Sequence, residues 1–201
     1  MPRVTILLTC YNHRDYIEAA VDAIRAQTFR DLETIALDDG SSDGTREWLA
    51  GQPDLRVVLN EKNLGTYGTL NRGLEMATGE FVAVFNDDDL WAPDKLARQI
   101  DVMDRNPEVA LVHTGGWFLN GRGERTEGNP LGFAWPTLVE EVTRATPFLV
   151  FENKIIASAA LARTAVLREL GGFDEAYFGS GDWDIWWRVA LGHAVGFVPD
   201  E

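Results

Sequence analysis

Apolar residues in this chain come in short runs separated by polar, turn-forming segments, and the runs alternate between two kinds. Val4 to Leu8 is continuous, with β-branched members, and ends in Cys10-Tyr11-Asn12-His13, as expected of a strand buried on both faces. Beyond Asp15, a candidate N-cap, Ile17, Ala20, Val21 and Ile24 recur at i, i+3, i+4 and i+7, the stripe of a helix. A second strand is predicted at Thr34 to Leu37, ending in the loop signal Asp38-Asp39-Gly40-Ser41-Ser42. Thr45 to Ala50 then predicts a short helix that Ser42 or Asp43 can cap, and Arg56 to Leu59 a third strand. Tyr67 to Ala77 predicts a helix with Gly79 as its C-cap, and Phe81 to Phe85 a fourth strand. A helix opening at Pro93 runs to about Asn106, followed by a fifth strand at Ala110 to His113.

Strands alternating with helices imply an α/β fold with a doubly wound, mostly parallel, Rossmann-like sheet. Ligands of such sheets bind beyond the carboxyl ends of the strands. Three polar clusters end strands here: Thr9-Cys10-Tyr11, Asp38-Asp39 and Asn86 to Asp89. They are distant in sequence and are expected to meet on one rim.

After about residue 115 the pattern changes. Gly116 to Arg125 predicts a hairpin around Asn120-Gly121, and Pro130 to Pro147 is irregular, with Phe133 and Trp135. Ala157 to Arg163 predicts a strand, Ala165 to Leu170 a short helix ended by Gly171-Gly172, and Asp182 the start of an aromatic helix, Trp183 to Leu191. The expectation is one domain, 1–201, with a nucleotide-binding half at 1–115 and a smaller β/loop, substrate-facing half at 116–201.

Charge narrows the function. Acidic residues outnumber basic ones 32 to 18, a net charge of −14. That argues against a nucleic-acid surface, which needs a Lys/Arg stripe, and against an anionic membrane as partner. A polyanionic small ligand would need a local cation, most simply a bound metal. Cys10 is the single cysteine, so no internal disulfide forms, in keeping with a reducing compartment. The opening residues lack a signal-peptide layout and no run is long and apolar enough to span a bilayer. The domain is therefore expected to be cytoplasmic, with peripheral attachment at an inner membrane left open.

The strongest chemical signal is Asp87-Asp88-Asp89. Three adjacent carboxylates repel unless something offsets them. One of them capping the next helix would leave the others unexplained, whereas a hard cation such as Mg²⁺ or Mn²⁺ uses oxygen ligands of this kind. Asp39 is either structural or an acceptor for a base N–H, with the residues giving no preference. Tyr11, beside Thr9, can stack on a base, although a core tyrosine is the commoner reading. Asp182 is placed as an N-cap, and the same position would suit a general base. Trp183 and Trp186 suggest either core packing or a platform for a sugar ring.

Taken together, Val4 to Asn12, Gln27-Thr28-Phe29, Asp38 to Thr45, Asn63-Leu64-Gly65, Asn71-Arg72-Gly73-Leu74, Ala77 to Phe81, Asp87 to Trp91 with Pro93 and Leu96, Gly171 to Asp174 and Asp182-Trp183-Asp184 resemble, in order and spacing, the inverting family 2 glycosyltransferases of GT-A fold. The resemblance covers nearly the whole chain. It implies a metal-assisted enzyme of polysaccharide or glycoconjugate synthesis. The donor would be a nucleoside-diphosphate sugar, UDP-sugar by analogy, and the acceptor a saccharide or lipid-linked hydroxyl. Thr9, Tyr11, Asp39, Asn71, Arg72 and Asp87 would contact the nucleotide-sugar. Asp88, with Asp87, would hold Mn²⁺ or Mg²⁺. Asp182 would be the catalytic base, with Trp183 on the acceptor side. Three features depart from the family pattern. Asn86 stands where the first Asp of Asp-x-Asp is usual, Gly181 where a Glu usually precedes the base, and family members usually continue past Pro199-Asp200-Glu201. Those departures keep a nucleotide-sugar-binding module without catalysis as the alternative. A nucleotidyltransferase ranks last, because Thr9-Cys10-Tyr11-Asn12-His13 lacks glycine where a phosphate loop would need it.

Overall fold

The computed structural model describes residues 1–126, 142–143, 149–150, 152–153 and 155–199. In chain order the elements are β1 (Val4–Cys10), α1 (Ile17–Arg25), β2 (Leu32–Asp38), α2 (Thr45–Ala50), β3 (Arg56–Leu59), α3 (Gly65–Met76), β4 (Phe81–Asn86) and α4 (Lys95–Arg105). They continue with β5 (Val109–Thr114), β6 (Val142–Thr143), β7 (Leu161–Arg163), α5 (Thr164–Glu169), α6 (Gly181–Gly192) and β8 (Ala194–Val198). The strands form one sheet in the order β3-β2-β1-β4-β7-β5-β8-β6. β1, β2, β3 and β4 run parallel, and β5 pairs parallel with β8. β7 is antiparallel to both β4 and β5, and β6 is antiparallel to β8.

Why the strands read as continuous apolar runs is now physical. All seven residues of β1 are buried. Ile6 and Leu8 join a core with Ile17, Val21, Leu96 and Ile100, whereas Leu7 joins Leu70, Leu74, Ile185 and Val189 in a second core. Helices on both faces thus cover the sheet. Among the described residues, no helix is long and apolar enough to cross a membrane.

Several local expectations fail for identifiable reasons. Asp15 does not cap α1. The helix is entered through a turn in which His13 O accepts from the Tyr16 and Ile17 amides, and Tyr16 holds the N-cap position without a side-chain bond. Asp43, one residue before the α2 N-cap Gly44, accepts the Thr45 amide at 3.0 Å. Pro93 lies in the turn ahead of α4, and the Asp94 side chain makes no cap bond. Ala157–Ala159 forms a 3₁₀ turn, so only Leu161–Arg163 of the predicted 157–163 strand is extended. The hairpin around Asn120 is reduced to a single Leu119–Arg125 bridge. β6 and β8 were not foreseen. Two residues are too few for a pattern, and only His193 separates Ala194–Val198 from α6. The irregular segment 130–147, with Phe133 and Trp135, lies outside the described residues except at 142–143.

Gly79 is not the C-cap of α3, which ends at Ala77 in extended conformation. Its role is close approach to β1. A Cβ there would stand 2.6 Å from Thr5 N and 2.8 Å from Val4 C, and its own amide donates to Thr5 Oγ1 at 2.9 Å. Gly79→Ala should therefore cost about 2–3 kcal/mol by overpacking against backbone. Urea titration should show a lowered midpoint, while Gly121→Ala, with nothing within 4 Å of its Cβ, should leave it unchanged.

Candidate active site

Parallel register places Cys10 opposite Asp38 and Thr9 opposite Asn86, so β1, β2 and β4 end together. Loops beyond them are tied to one another. Asp39 N donates to Cys10 O at 2.8 Å and Asp87 N to Thr9 O at 3.2 Å. Asn12, in the left-handed region at φ 56°, links to the next loop. Its amide donates to Ser41 Oγ at 3.0 Å, and its Oδ1 accepts the Ser42 amide at 2.8 Å. Thr9 Oγ1 donates to Asn86 Oδ1 at 3.2 Å. The three polar clusters thus share one rim, as expected. Tyr11 is 46% exposed there, so its reading as a core tyrosine is corrected.

The acidic loop divides its carboxylates. Asp88 is exposed, Asp89 half-buried and Asp87 3% exposed. Asp89 turns inward, accepting from Ser158 Oγ at 2.5 Å and from Asn86 Nδ2 at 3.5 Å. Asp87 Oδ1 lies 2.7 Å from His13 Nδ1, while its Oδ2 is buried with no partner. Burial, with Asp88 adding repulsion, pushes the Asp87 carboxyl up to about 6 against the opposing pull of His13. For His13, burial acts downward but is outweighed by the bond and charge of Asp87, so its imidazole is raised. The same negative field, after burial itself, raises the neighbouring Cys10 thiol.

These residues fit a divalent cation. His13, Asp87 and Asp88 each offer one ligand atom, all within 4.8 Å of one another. An orphaned, buried carboxylate oxygen is costly unless a proton or cation meets it. His13 is absent from the residues singled out in the sequence. Its contact with Asp87 spans 74 positions and exists because β1 and β4 are neighbours in the sheet.

Asp39 is buried and partly engaged. Its Oδ1 accepts from Asn60 Nδ2 at 2.9 Å and Leu64 N at 2.7 Å, and its Oδ2 accepts from Gly65 N at 3.0 Å. It therefore anchors the start of α3, with acceptor capacity left on Oδ2. Arg72 donates to Asn60 Oδ1 and so joins that network. Asn71, the next residue, faces elsewhere. Its Oδ1 accepts from Phe173 N and its Nδ2 donates to Phe173 O, both at 2.8 Å, so the amide braces the loop ahead of α6.

Asp182 lies inside the first turn of α6, whose N-cap position is Ser180; its placement as N-cap is corrected. The helix starts at Gly181, one residue before Asp182, where a Cβ would meet the Tyr67 ring. Asp182 Oδ1 accepts from Tyr67 OH at 3.3 Å and Oδ2 from Asn153 Nδ2 at 2.9 Å. Burial raises the carboxyl above its ordinary range, against the lowering effect of the Trp183 amide and of these two donors. Trp183 is half-buried, with Nε1 donating to Leu149 O at 2.6 Å, whereas Trp186 is 1% exposed in the core. The pair is therefore no common platform. Tyr67 and Asn153 escaped the sequence reading, since nothing local marks either one.

Comparison with known proteins follows this geometry. The glycosyl transferase family 2 model matches residues 5–166. An uncharacterized glycosyltransferase of Rickettsia typhi is 27% identical over 200 residues, covering 98% of this chain and 61% of its own length. TarS of S. aureus, crystallised with UDP, superposes with TM-score 0.77 at 22% identity, over 100% of this chain and 59% of that one. The mannosyltransferase PcManGT of Pyrobaculum calidifontis, in complex with GDP-Man and Mn²⁺, gives TM-score 0.71 at 26% identity, over 99% and 55%. The chain thus spans about three fifths of the length of these relatives. With the GT-A frame, the three loops on one rim and a family match over most of its residues, this chain belongs to glycosyl transferase family 2.

Proposed function

We propose that the chain is the catalytic domain of an inverting glycosyltransferase using a nucleoside-diphosphate sugar, with a UDP-sugar favoured. The observation that carries this is the buried, half-unpaired Asp87 carboxylate beside His13 and exposed Asp88, on the rim where Asp39 and Thr9 also end their strands. Asp88, Asp87 and His13 would hold Mn²⁺ or Mg²⁺. When bound, such an ion supplies positive charge for the diphosphate as it departs. Thr9, exposed Tyr11, the remaining acceptor on Asp39 and the Arg72–Asn60 link are assigned to the nucleotide. Residues 1–115 form the nucleotide half, and 116–201 the acceptor half.

Asp182 is assigned as general base. It takes the proton of the acceptor hydroxyl as that oxygen attacks the anomeric carbon, and the bond to the nucleoside diphosphate breaks with its electron pair leaving on the diphosphate. One displacement inverts the anomeric centre. A carboxyl raised by burial is a better proton acceptor near neutrality than an ordinary one. PcManGT, with its GDP-Man and Mn²⁺, supports the donor class and the metal. Asn71 is assigned with Thr9, Tyr11, Asp39 and Arg72 to the nucleotide-sugar, its amide also bracing the Phe173 loop, and Trp183, bonded to Leu149 O, to the acceptor side.

Calorimetric titration with UDP tests the reading. Binding is expected with Mn²⁺ present and should weaken at least tenfold when the metal is chelated, since the charges of Asp87 and Asp88 then oppose the diphosphate without compensation. Absence of binding under both conditions would overturn the proposal.

A further inference from the structure

We propose that Tyr67 is the positioning residue of Asp182, and that Gly181 is the feature that admits it. The inference rests on Asp182 being the base and extends that assignment to how the base is held. Asp39 fixes the start of α3 through Leu64 N and Gly65 N, and Tyr67 lies in the first turn that follows. Its ring stacks on Phe173 at 6.0 Å with an interplanar angle of 13°. Phe173 is itself clamped by Asn71, four residues beyond Tyr67 and so on the same helix face. The ring is therefore stacked on a partner that is itself fixed.

From that position the Tyr67 hydroxyl reaches Asp182 Oδ1 and Asn153 Nδ2 reaches Oδ2, at 3.3 and 2.9 Å. Each carboxylate oxygen has a side-chain donor, in addition to the Trp183 and Asp182 backbone amides, which restrains rotation of the group and leaves acceptor capacity for an incoming hydroxyl. Burial, and then the charge of Asp182, raise the ionisation of Tyr67, so its hydroxyl stays a donor. Gly181 completes the arrangement. A Cβ at that position would lie 2.8 Å from Tyr67 Cδ2 and Cε2 and 3.0 Å from Cγ. Any side chain at 181 would displace the ring. The glycine and the tyrosine are thus a matched pair, linking the nucleotide rim through α3 to the acceptor side.

Tyr67→Phe tests this, because it keeps the ring and removes only the hydroxyl. The assay is transfer from whichever member of a UDP-sugar panel the protein turns over with Mn²⁺. A fall in kcat of about fivefold to tenfold is expected, the scale of one hydrogen bond to a charged group, with donor KM unchanged. Loss of a donor to the carboxylate raises its pKa. The acid limb of the pH profile should accordingly move to higher pH, as should the Asp182 titration followed by ¹³C carboxyl NMR, which needs no donor. On the packed segments, Glu175 accepts from Asn71, Asp174 from the Ala176 amide, and Asp184 is paired with Arg188 at 2.7 Å. Gly181→Ala should act in the same direction, and the double variant should add little to either single one.

Unchanged kcat, acid limb and Asp182 titration in Tyr67→Phe would overturn the proposal. Asp182→Asn in the same assay separates the two ideas. Retained turnover there removes the base assignment itself. Lost turnover beside an inert Tyr67→Phe removes only the positioning role.

Discussion

Asp182→Asn should lower sugar transfer by roughly 10²–10⁴-fold, the usual worth of a general base, or about 3–5 kcal/mol of barrier. UDP binding should survive, because the substitution keeps the side-chain volume and lies on α6, away from the loops after β1, β2 and β4. The asparagine oxygen still accepts a hydrogen bond, so α6 and its neighbours should stay in place. The pH behaviour of the unaltered protein follows from the same group. The base works ionised, so activity should rise with pH as Asp182 loses its proton. Burial raises that carboxyl, so the rise should lie above the range of an exposed aspartate. Steady-state kinetics across pH checks both statements. If the variant turns over at the parental rate, Asp182 is not the base; UDP binding without turnover in the unaltered protein would instead favour a nucleotide-sugar-binding module.

Asp88→Ala should have the second large effect, on binding rather than on the proton. Losing an outer partner of a metal site commonly weakens it 10–100-fold, so removing a direct ligand should cost at least about 100-fold in Mn²⁺-dependent UDP affinity. Stability should not fall with it. Asp88 is exposed, and surface changes away from structural features stay within about 0.5 kcal/mol. Removing its charge also relieves the repulsion that helps raise Asp87. Calorimetry for UDP with Mn²⁺, paired with a thermal melt, measures both. An unchanged affinity would remove Asp88 from the metal site.

Much of the frame was legible in the chain because the rules that build it are local. Short apolar runs placed β1, β2, β3, β4 and β5, and the 3.6 period placed the buried stripe of α1. Caps were read less well. Asp15 and Gly79 were suitable residue types, but capping depends on the path by which the chain enters or leaves a helix. β7 shows a different limit. Its three residues fit between β4 and β5, antiparallel to both, and no local pattern states which strands a short segment will join.

The sequence alone determined the alternating α/β plan, the acidic loop after β4 and the gathering of polar strand ends on one rim. Each depends on the order of side chains along a few residues and on which way successive strands run. Tertiary structure decided the partners. His13 meets Asp87 across 74 positions, Asn153 meets Asp182 across 29 and Tyr67 meets Asp182 across 115. It also turned Asn71 and Arg72, consecutive on α3, toward opposite tasks. Periodicity tells a residue which face of its own element it occupies; strand order and helix packing, which are collective, choose what that face will meet.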